Sequence, residues 1–347
     1  NNSLDLDEGY GIQLSVNSVK LLNQIGFDKF KDDKKFNPTK INFYSIKSLE
    51  KICDLDISDF NSDDIKYTTL KRSDLINFLK SDIEDLIKTS HSISKIDQEN
   101  RIIKISFEND ETFECDHLII SDGVFSKSKS IVSKNKTQPK YNNTLAIRGT
   151  IPYFLDFVDK KNISLHLGSN FHHVIYPVTQ KGNLNFIAIM KYNLTENEQK
   201  NYSLFTDPDF IKKILRNVPQ ESNKFLNEIK ELKIFPVFVS DDFFKIDNNK
   251  IHLIGDAFFA FPPSFAQGAS QSIEGAFELF KSIENNTEID FFKSRVYKTK
   301  MVNNRSKFNE FVFHLSNPLT KLFRNIFLKK LVKNKKFLES YLGKIYR

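Results

Sequence analysis

Tryptophan is absent from this chain, cysteine and methionine occur twice each, and its 347 residues include only 11 glycines. Cys53 and Cys115 stand far apart in unlike contexts. That excludes a disulfide scaffold and a thiolate metal cluster, and it fits a reducing cytoplasm. The seven histidines show no ligand spacing, so no metal site is expected. No apolar run reaches the roughly 20 residues of a membrane-spanning helix. No charged-then-apolar targeting segment opens the chain. It also starts without methionine, so it is expected to be processed or to be a fragment. The 51 basic and 44 acidic residues leave a net charge of +7. These lysines read as scattered, in a chain generally rich in Asn, Ile and Phe, so nucleic-acid binding is not expected. Hydrophobic content of 39% with 27% charge describes a globular protein with one large core or two moderate ones.

The most consequential shortage is of glycine near the start. A doubly wound nucleotide fold opens with a strand, a Gly-rich turn, a helix and a second strand ending in an acid. Nothing before Ser15 has the room or the glycines for this. The first clear element is instead SVNSVKLLNQI, Ser15 to Ile25, with apolar residues on one helical face and Gly26 as its stop. Phe43 and Tyr44 lie in an expected strand of a small hairpin. Ser73 is expected to cap an amphipathic helix, SDLINFLKSDIEDLI.

Two short apolar strands then end in acid and glycine. HLII, residues 117–120, runs into Ser121, Asp122 and Gly123, and IHLI, residues 251–254, runs into Gly255 and Asp256. A parallel sheet behaves so where the C-terminal ends of its strands face a ligand. Between them, alternating strands such as TLAIRGTIPYF, ISLHLG, HHVIYPV and LNFIAIMKY imply an inserted antiparallel sheet with a helical interruption around 209–231. The expected division is residues 1–140 plus 249–282 as a discontinuous nucleotide domain, 141–248 as an inserted β-rich domain, and 283–347 as C-terminal helices.

GDAFFAFPPSFAQGASQSIEGA, residues 255–276, carries the chemistry. Gly255 allows close approach at the strand end, and Asp256 can accept hydrogen bonds from ribose or ribityl hydroxyls. Pro262 and Pro263 fix the turn. Gln267, Gly268 and Ala269 open a helix whose unpaired N–H groups and partial positive charge suit an anionic ring edge. This stretch resembles the second flavin motif of the FAD-dependent aromatic-ring monooxygenases, the salicylate and 3-hydroxybenzoate hydroxylase type with the para-hydroxybenzoate hydroxylase fold. It departs from that motif at Phe258 and Phe259, at Ala266 in place of glycine, and at Ser270 and Gly275.

Further stretches resemble the same family in the expected order. Asp122, Gly123, Ser126 and Lys129 match its ADGxxSxxR element, with lysine for arginine. GYGIQLSVNSVKLLNQIGF matches with Gly11, Ile12, Gln13, Leu14, Asn17 and Gly26, and Arg72 stands at the start of the hRxxLxxxL helix. Arg148 and Gly149 fit an AWRGxxP strand; His172, Val174, Tyr176 and Pro177 fit HxVxYPV. RSKFNEFVFHLSNPLTKLFRNIFLKKL is similar to the terminal helices of the salicylate-hydroxylase-like branch.

The resemblance implies an α/β fold: a Rossmann-like FAD-binding domain, here N-terminally truncated, an inserted substrate sheet and C-terminal helices. It implies FAD as cofactor, with Arg72, Asp122, Gly123, Gly255, Asp256, Pro263, Gln267, Gly268 and Ala269 around it. NADH or NADPH would reduce FAD, and a C4a-hydroperoxyflavin formed with molecular oxygen would hydroxylate a small aromatic acid or phenol. His172, Tyr176 and Arg148 are the candidate catalytic residues, with Phe258 to Phe261 as further pocket lining. His172 would orient or deprotonate a phenol, and His173 should face the other side of its strand. The alternatives are an isoprenoid-ring hydroxylase, a prenyl-lipid reductase, or a truncated homologue without FAD. Lacking GxGxxG, this chain alone is expected to hold FAD weakly or not at all. The basic, amphipathic end, FLKKLVKNKKFLESYLGKIYR, is expected to pack on the core, with peripheral membrane contact as the alternative.

Overall fold

The computed structural model describes residues 10–99, 102–134, 136–155 and 158–346. The first part comprises β1 (Gly11–Leu14), α1 (Val16–Asn23), β2 (Lys35–Phe36), β3 (Lys40–Ser45), β4 (Lys51–Asp56), β5 (Thr68–Lys71) and α2 (Arg72–Lys80). A meander follows, β6 (Ile93–Glu99), β7 (Ile102–Phe107) and β8 (Thr112–Cys115), then β9 (Leu118–Ile120) and α3 (Lys127–Ser133). The middle contributes β10 (Lys140–Ile151), β11 (Ile163–Leu167), β12 (Phe171–Pro177) and β13 (Leu184–Lys191). Short helices α4 (Glu196–Lys200), α5 (Pro208–Leu215) and α6 (Asn223–Leu226) precede β14 (Lys230–Val239). The chain closes with β15 (Ile251–Leu253), α7 (Gly255–Phe259), α8 (Gly268–Glu284), α9 (Glu288–Phe313), α10 (Pro318–Leu331), α11 (Lys335–Leu338) and α12 (Lys344–Tyr346).

The two apolar runs pair in parallel, Ile251 against Leu118 and Leu253 against Ile120. Continuous apolar sequence suits strands covered on both faces. Here Phe258, Phe259 and the β7 residues Ile103 and Ile105 cover Leu118, Ile120, Ile251 and Leu253, whereas Ile119 stays 45% exposed. The larger sheet has seven strands in the order β14-β10-β13-β12-β11-β3-β4. Its β3–β4 hairpin comes from residues outside the expected 141–248 segment and joins through a parallel β11–β3 pairing. Two apolar layers sandwich this sheet, one against α5 and α6, the other against the C-terminal helices.

Helix starts follow from what precedes them. α1 stops before Gly26, whose φ of +90° lies in the left-handed region that glycine enters freely. Ser73 does not cap α2. That helix begins at Arg72, where the β1–β5 ladder ends and the Arg72 N–H donates to the Tyr10 carbonyl. α8 is held by buried polar contacts. Arg295 on α9 donates to Glu274, Glu278 and the Gln271 carbonyl and side chain, while Asn17 on α1 donates to Glu274.

Candidate active site

A cavity of about 990 Å³ lies between the start of α8 and the seven-stranded sheet, large enough for a ring system beside a substrate. One wall comprises Gly11 to Gln13, Arg72, Asp256, Pro263, Gly268 and Ala269. The opposite wall is a sheet face presenting Arg148, His172, Val174, Tyr176 and Ile187, roofed by α9 and α10. Eight of the expected site residues thus meet in one space: Arg72, Arg148, His172, Tyr176, Asp256, Pro263, Gly268 and Ala269.

Local sequence explains the close packing of these walls. A Cβ on Gly11 would lie 2.7 Å from Asn185 Cβ and 2.8 Å from Tyr176 Cε2, so only glycine lets β1 run over the β12–β13 hairpin. The Gly11 N–H donates to Asn185 Oδ1 at 2.6 Å. Gly255 has a φ of +59°, and the turn it makes delivers Asp256 to the cavity.

Asp256 is accessible from the cavity yet closely surrounded by protein, and burial pushes its carboxyl upward. It has no hydrogen bond or ion pair among the described residues. Arg72 is exposed at the rim, and its guanidinium likewise has no acid partner among them. Arg148 is half-buried, without an ion pair among the described residues, its guanidinium 5.9 Å from the Tyr10 ring centre. Tyr176 is buried, and burial raises its phenol strongly.

His172 faces the cavity while His173 turns to the opposite layer against Phe186 and Phe225, as strand alternation requires. His172 Nδ1 lies 2.8 Å from His314 Nε2, just beyond the end of α9. Burial holds both rings neutral: His172 well below its usual range, His314 at about 4. His314 Nδ1 is buried with no hydrogen-bond partner among the described residues, and the backbone at Ile189 acts on this ring against the effect of burial. In the tautomer that carries the proton on His172 Nδ1, His314 Nε2 accepts it and His172 Nε2 is left as the free lone pair.

Four expected cofactor residues do not line the cavity. The Asp122 carboxylate accepts from Ser126 Oγ and the Ser128 N–H, and Ser126 accepts from the Lys129 N–H, so this motif caps α3. Gly123 provides the turn with a φ of +85°. Gly255 lies behind Asp256. The Gln267 amide points away from the cavity and donates to Ser15 Oγ at 3.1 Å, joining α8 to α1. Of the aromatic segment, only Phe261 reaches the cavity; Phe258 and Phe259 pack on Phe243 and, for Phe258, on Phe291 and Phe292. His314 and Arg324, both at this site, lie in the C-terminal stretch that resembles the family's terminal helices, where nothing in their spacing marks either one out.

The family described as "FAD binding domain" matches residues 89–287, and the chain belongs to it. Salicylate hydroxylase of Pseudomonas putida is 22% identical over 61% of this chain and 53% of its own length. The chain therefore spans about half the length of the curated relatives it matches. Among solved structures, Klebsiella pneumoniae HpxO complexed with FAD and uric acid superposes with a TM-score of 0.82 at 13% identity, covering 98% of this chain and 88% of that one. A salicylate hydroxylase substrate complex gives 0.77 at 17% identity, covering 97% and 88%. A 2,6-dihydroxypyridine-3-hydroxylase from Arthrobacter nicotinovorans gives 0.73 at 13%, covering 90% and 85%.

FAD is the cofactor of this family, and the residues present fit it. A carboxylate and an arginine that have no ion pair among the described residues and the start of a 17-residue helix converge on one wall. A Cβ added to Gly268 would meet nothing within 4 Å, which leaves that helix start open to a flat ring.

Proposed function

We propose that this is a flavin-dependent monooxygenase that hydroxylates a small aromatic acid or phenol, with NADH or NADPH and molecular oxygen as co-substrates. The supporting observation is that the wall bearing Asp256 and the α8 N-terminus faces His172, Tyr176 and Arg148 across one largely apolar cavity. Bound FAD would supply the redox chemistry. Asp256 would accept hydrogen bonds from its hydroxyl chain, and the α8 N–H groups would favour negative charge on the ring. Arg72 would approach the pyrophosphate. His172 Nε2 would take the proton of a substrate hydroxyl, with His314 sharing the resulting charge. The apolar sheet face, Val174, Ile187 and Ile189, would keep water from the reacting atoms.

Oxygen-dependent NAD(P)H oxidation stimulated by a hydroxybenzoate, with stoichiometric hydroxylated product, tests this. Stimulation by isoprenoid-ring substrates alone would favour the same-fold alternative, and a version extended by a strand and GxGxxG turn that stayed colourless in excess FAD would end the flavin reading.

No described helix is long and apolar enough to cross a membrane. Contact with an anionic lipid surface is nevertheless favoured by α10, which turns Leu319, Leu322, Phe323, Ile326 and Phe327 outward. Residues 318–347 hold nine Lys and Arg against one Glu, whereas the preceding residues hold 42 basic and 43 acidic side chains. The positive excess is thus concentrated beside this apolar stripe, the combination an anionic interface attracts. Phe323 and Phe327 also line the cavity. Co-sedimentation with phosphatidylserine vesicles, lost on Phe323→Lys and Phe327→Lys, is expected. No pelleting would refute it, and a vesicle-free dimer abolished by the same changes would assign the face to a second copy.

A further inference from the structure

α10 is turned inside out. Its outward stripe is apolar, and its one buried residue is Arg324, 6% exposed. Arg324 Nε and Nη2 both donate to Oδ1 of the adjacent Asn325, at 3.1 and 3.0 Å. Nη1 is buried and has no partner. Among the described residues no carboxylate pairs with it; burial pushes the guanidinium down to about 10. Its charged neighbour, Lys321, feels Arg324 and Lys47 as like charges and Glu221 as an opposite one. A buried cation with no ion pair of its own is a costly arrangement for a fold to keep. An arginine serving only to pack would carry its head to solvent along its aliphatic stem, whereas Arg324 is 6% exposed and is among the residues that line the cavity.

We infer that Arg324 is the anion anchor of the cavity, receiving the carboxylate of an aromatic acid on the guanidinium N–H groups that Asn325 leaves free. The inference rests on the aromatic-hydroxylase reading above and narrows it to acids. Arg148, the other cavity arginine, is the weaker candidate, because it is half-buried and its cationic face already lies over the Tyr10 ring. A planar guanidinium is also the side chain best matched to a carboxylate. Its position on α10, with Leu315 and Thr320, puts the anchor on the roof of the cavity. The acid end of the substrate would then be held by the helical layer while the ring lies along the sheet face.

The test is calorimetric titration of the full chain with a hydroxybenzoate and with its uncharged amide. Hydrogen bonds to a charged group imply roughly 10- to 100-fold tighter binding of the acid. Arg324→Gln should bring acid and amide to about the same affinity and leave the amide unchanged. Arg324→Lys, which keeps the charge without the fork, should fall between. The near-UV spectrum and melting temperature of Arg324→Gln should be retained, because an uncompensated charge has been removed. Should Arg324→Gln fail to fold, the Lys variant decides, and an undiminished acid preference there overturns the anchor. Retained preference in Arg324→Gln, with its loss in Arg148→Gln, moves the carboxylate to Arg148. Equal binding of acid and amide by the unaltered chain refutes the anchor but keeps the aromatic reading. Binding of neither refutes both.

Discussion

Arg295→Met is the most demanding test of how the site is held. Arg295 is 3% exposed and lies between α8 and α9. Its Nη1 donates to Glu274 at 3.3 Å and Glu278 at 3.2 Å, and its Nη2 to the Gln271 carbonyl at 2.9 Å and Gln271 Oε1 at 2.6 Å. Methionine fills much of the stem volume but leaves two carboxylates beside it without their main cation. Breaking a buried pair from one side costs about 3–5 kcal/mol. Lys298, 3.2 Å from Glu274, remains as a partial counterion and sets the expectation near the lower end. At 2–4 °C per kcal/mol, a figure for domains of 150–250 residues, the melting temperature should fall by roughly 6 °C or more. Urea unfolding followed by circular dichroism gives the free energy. Glu274→Gln added to Arg295→Met should recover part of the loss, because the orphaned charge goes with it. A loss under about 1 kcal/mol, or no recovery in the double variant, would refute the claim that this network positions α8.

The remaining predictions concern the cavity and the sheet. Asp256→Asn should weaken FAD binding by about 10- to 100-fold in a fluorescence titration, the value of a lost charge-assisted hydrogen bond. Because burial raises the Asp256 carboxyl, its cost to the fold sets in as pH rises through the folded-state value, so Asp256→Asn should raise the melting temperature more at pH 8 than at pH 4. His314 shows the reverse sign: held down from 6.5 to about 4, it contributes stability above pH 6.5 that is lost as pH falls towards 4. The loss is ~3 kcal/mol, and His314→Asn should reduce the slope of urea stability over that window, with His166, His172 and His173, also held down by burial, keeping the rest. Gly149→Ala places a Cβ 2.1 Å from Ile229 Cγ2 and 2.9 Å from the Lys230 carbonyl oxygen, and should cost about 1–3 kcal/mol in urea.

The parts of the fold that sequence made legible are those where one local constraint decides. HLII and IHLI read as buried parallel strands because three residues of each four are Leu or Ile, and Gly26 reads as a stop because its backbone turns left-handed there. The sheet's edge was not legible. β3 pairs with β11 across more than 100 residues, and nothing local in either strand specifies that partner. Among the site residues, the motifs mix two kinds of side chain that sequence cannot separate. Asp256, Arg72 and Gly268 meet the cavity, whereas Asn17, Gln267, Gln271 and Glu274 bond chiefly to one another and to Ser15 and Arg295. Both kinds look alike as polar letters at fixed spacing. Asp122 belongs with the second kind, as a helix cap. His314 and Arg324 escaped notice for the opposite reason. Arg324 shares α10 with Lys321, Lys329 and Lys330, where a basic residue usually means a solvated face, and His314 follows the end of α9; only the three-dimensional packing turns each inward.

Ala266 joins these two levels. Its φ of +51° lies in the left-handed region, and its side chain lines the cavity just before α8. This backbone explains why glycine is the residue expected here, and alanine carries a strain of about 1–2 kcal/mol. Ala266→Gly removes that strain, but it also loosens the unfolded chain, which offsets about 0.4–1 kcal/mol. Stability should therefore rise by no more than about 1.6 kcal/mol. The cavity, by contrast, loses a methyl from the wall where the ring is expected to lie, so flavin affinity should increase while the melting temperature barely moves. Equal affinity in both forms would mean that the ring does not approach this turn. A drop in affinity would mean that the alanine methyl is itself a contact, and that this cavity is shaped for a ligand held differently from the one its motifs suggest.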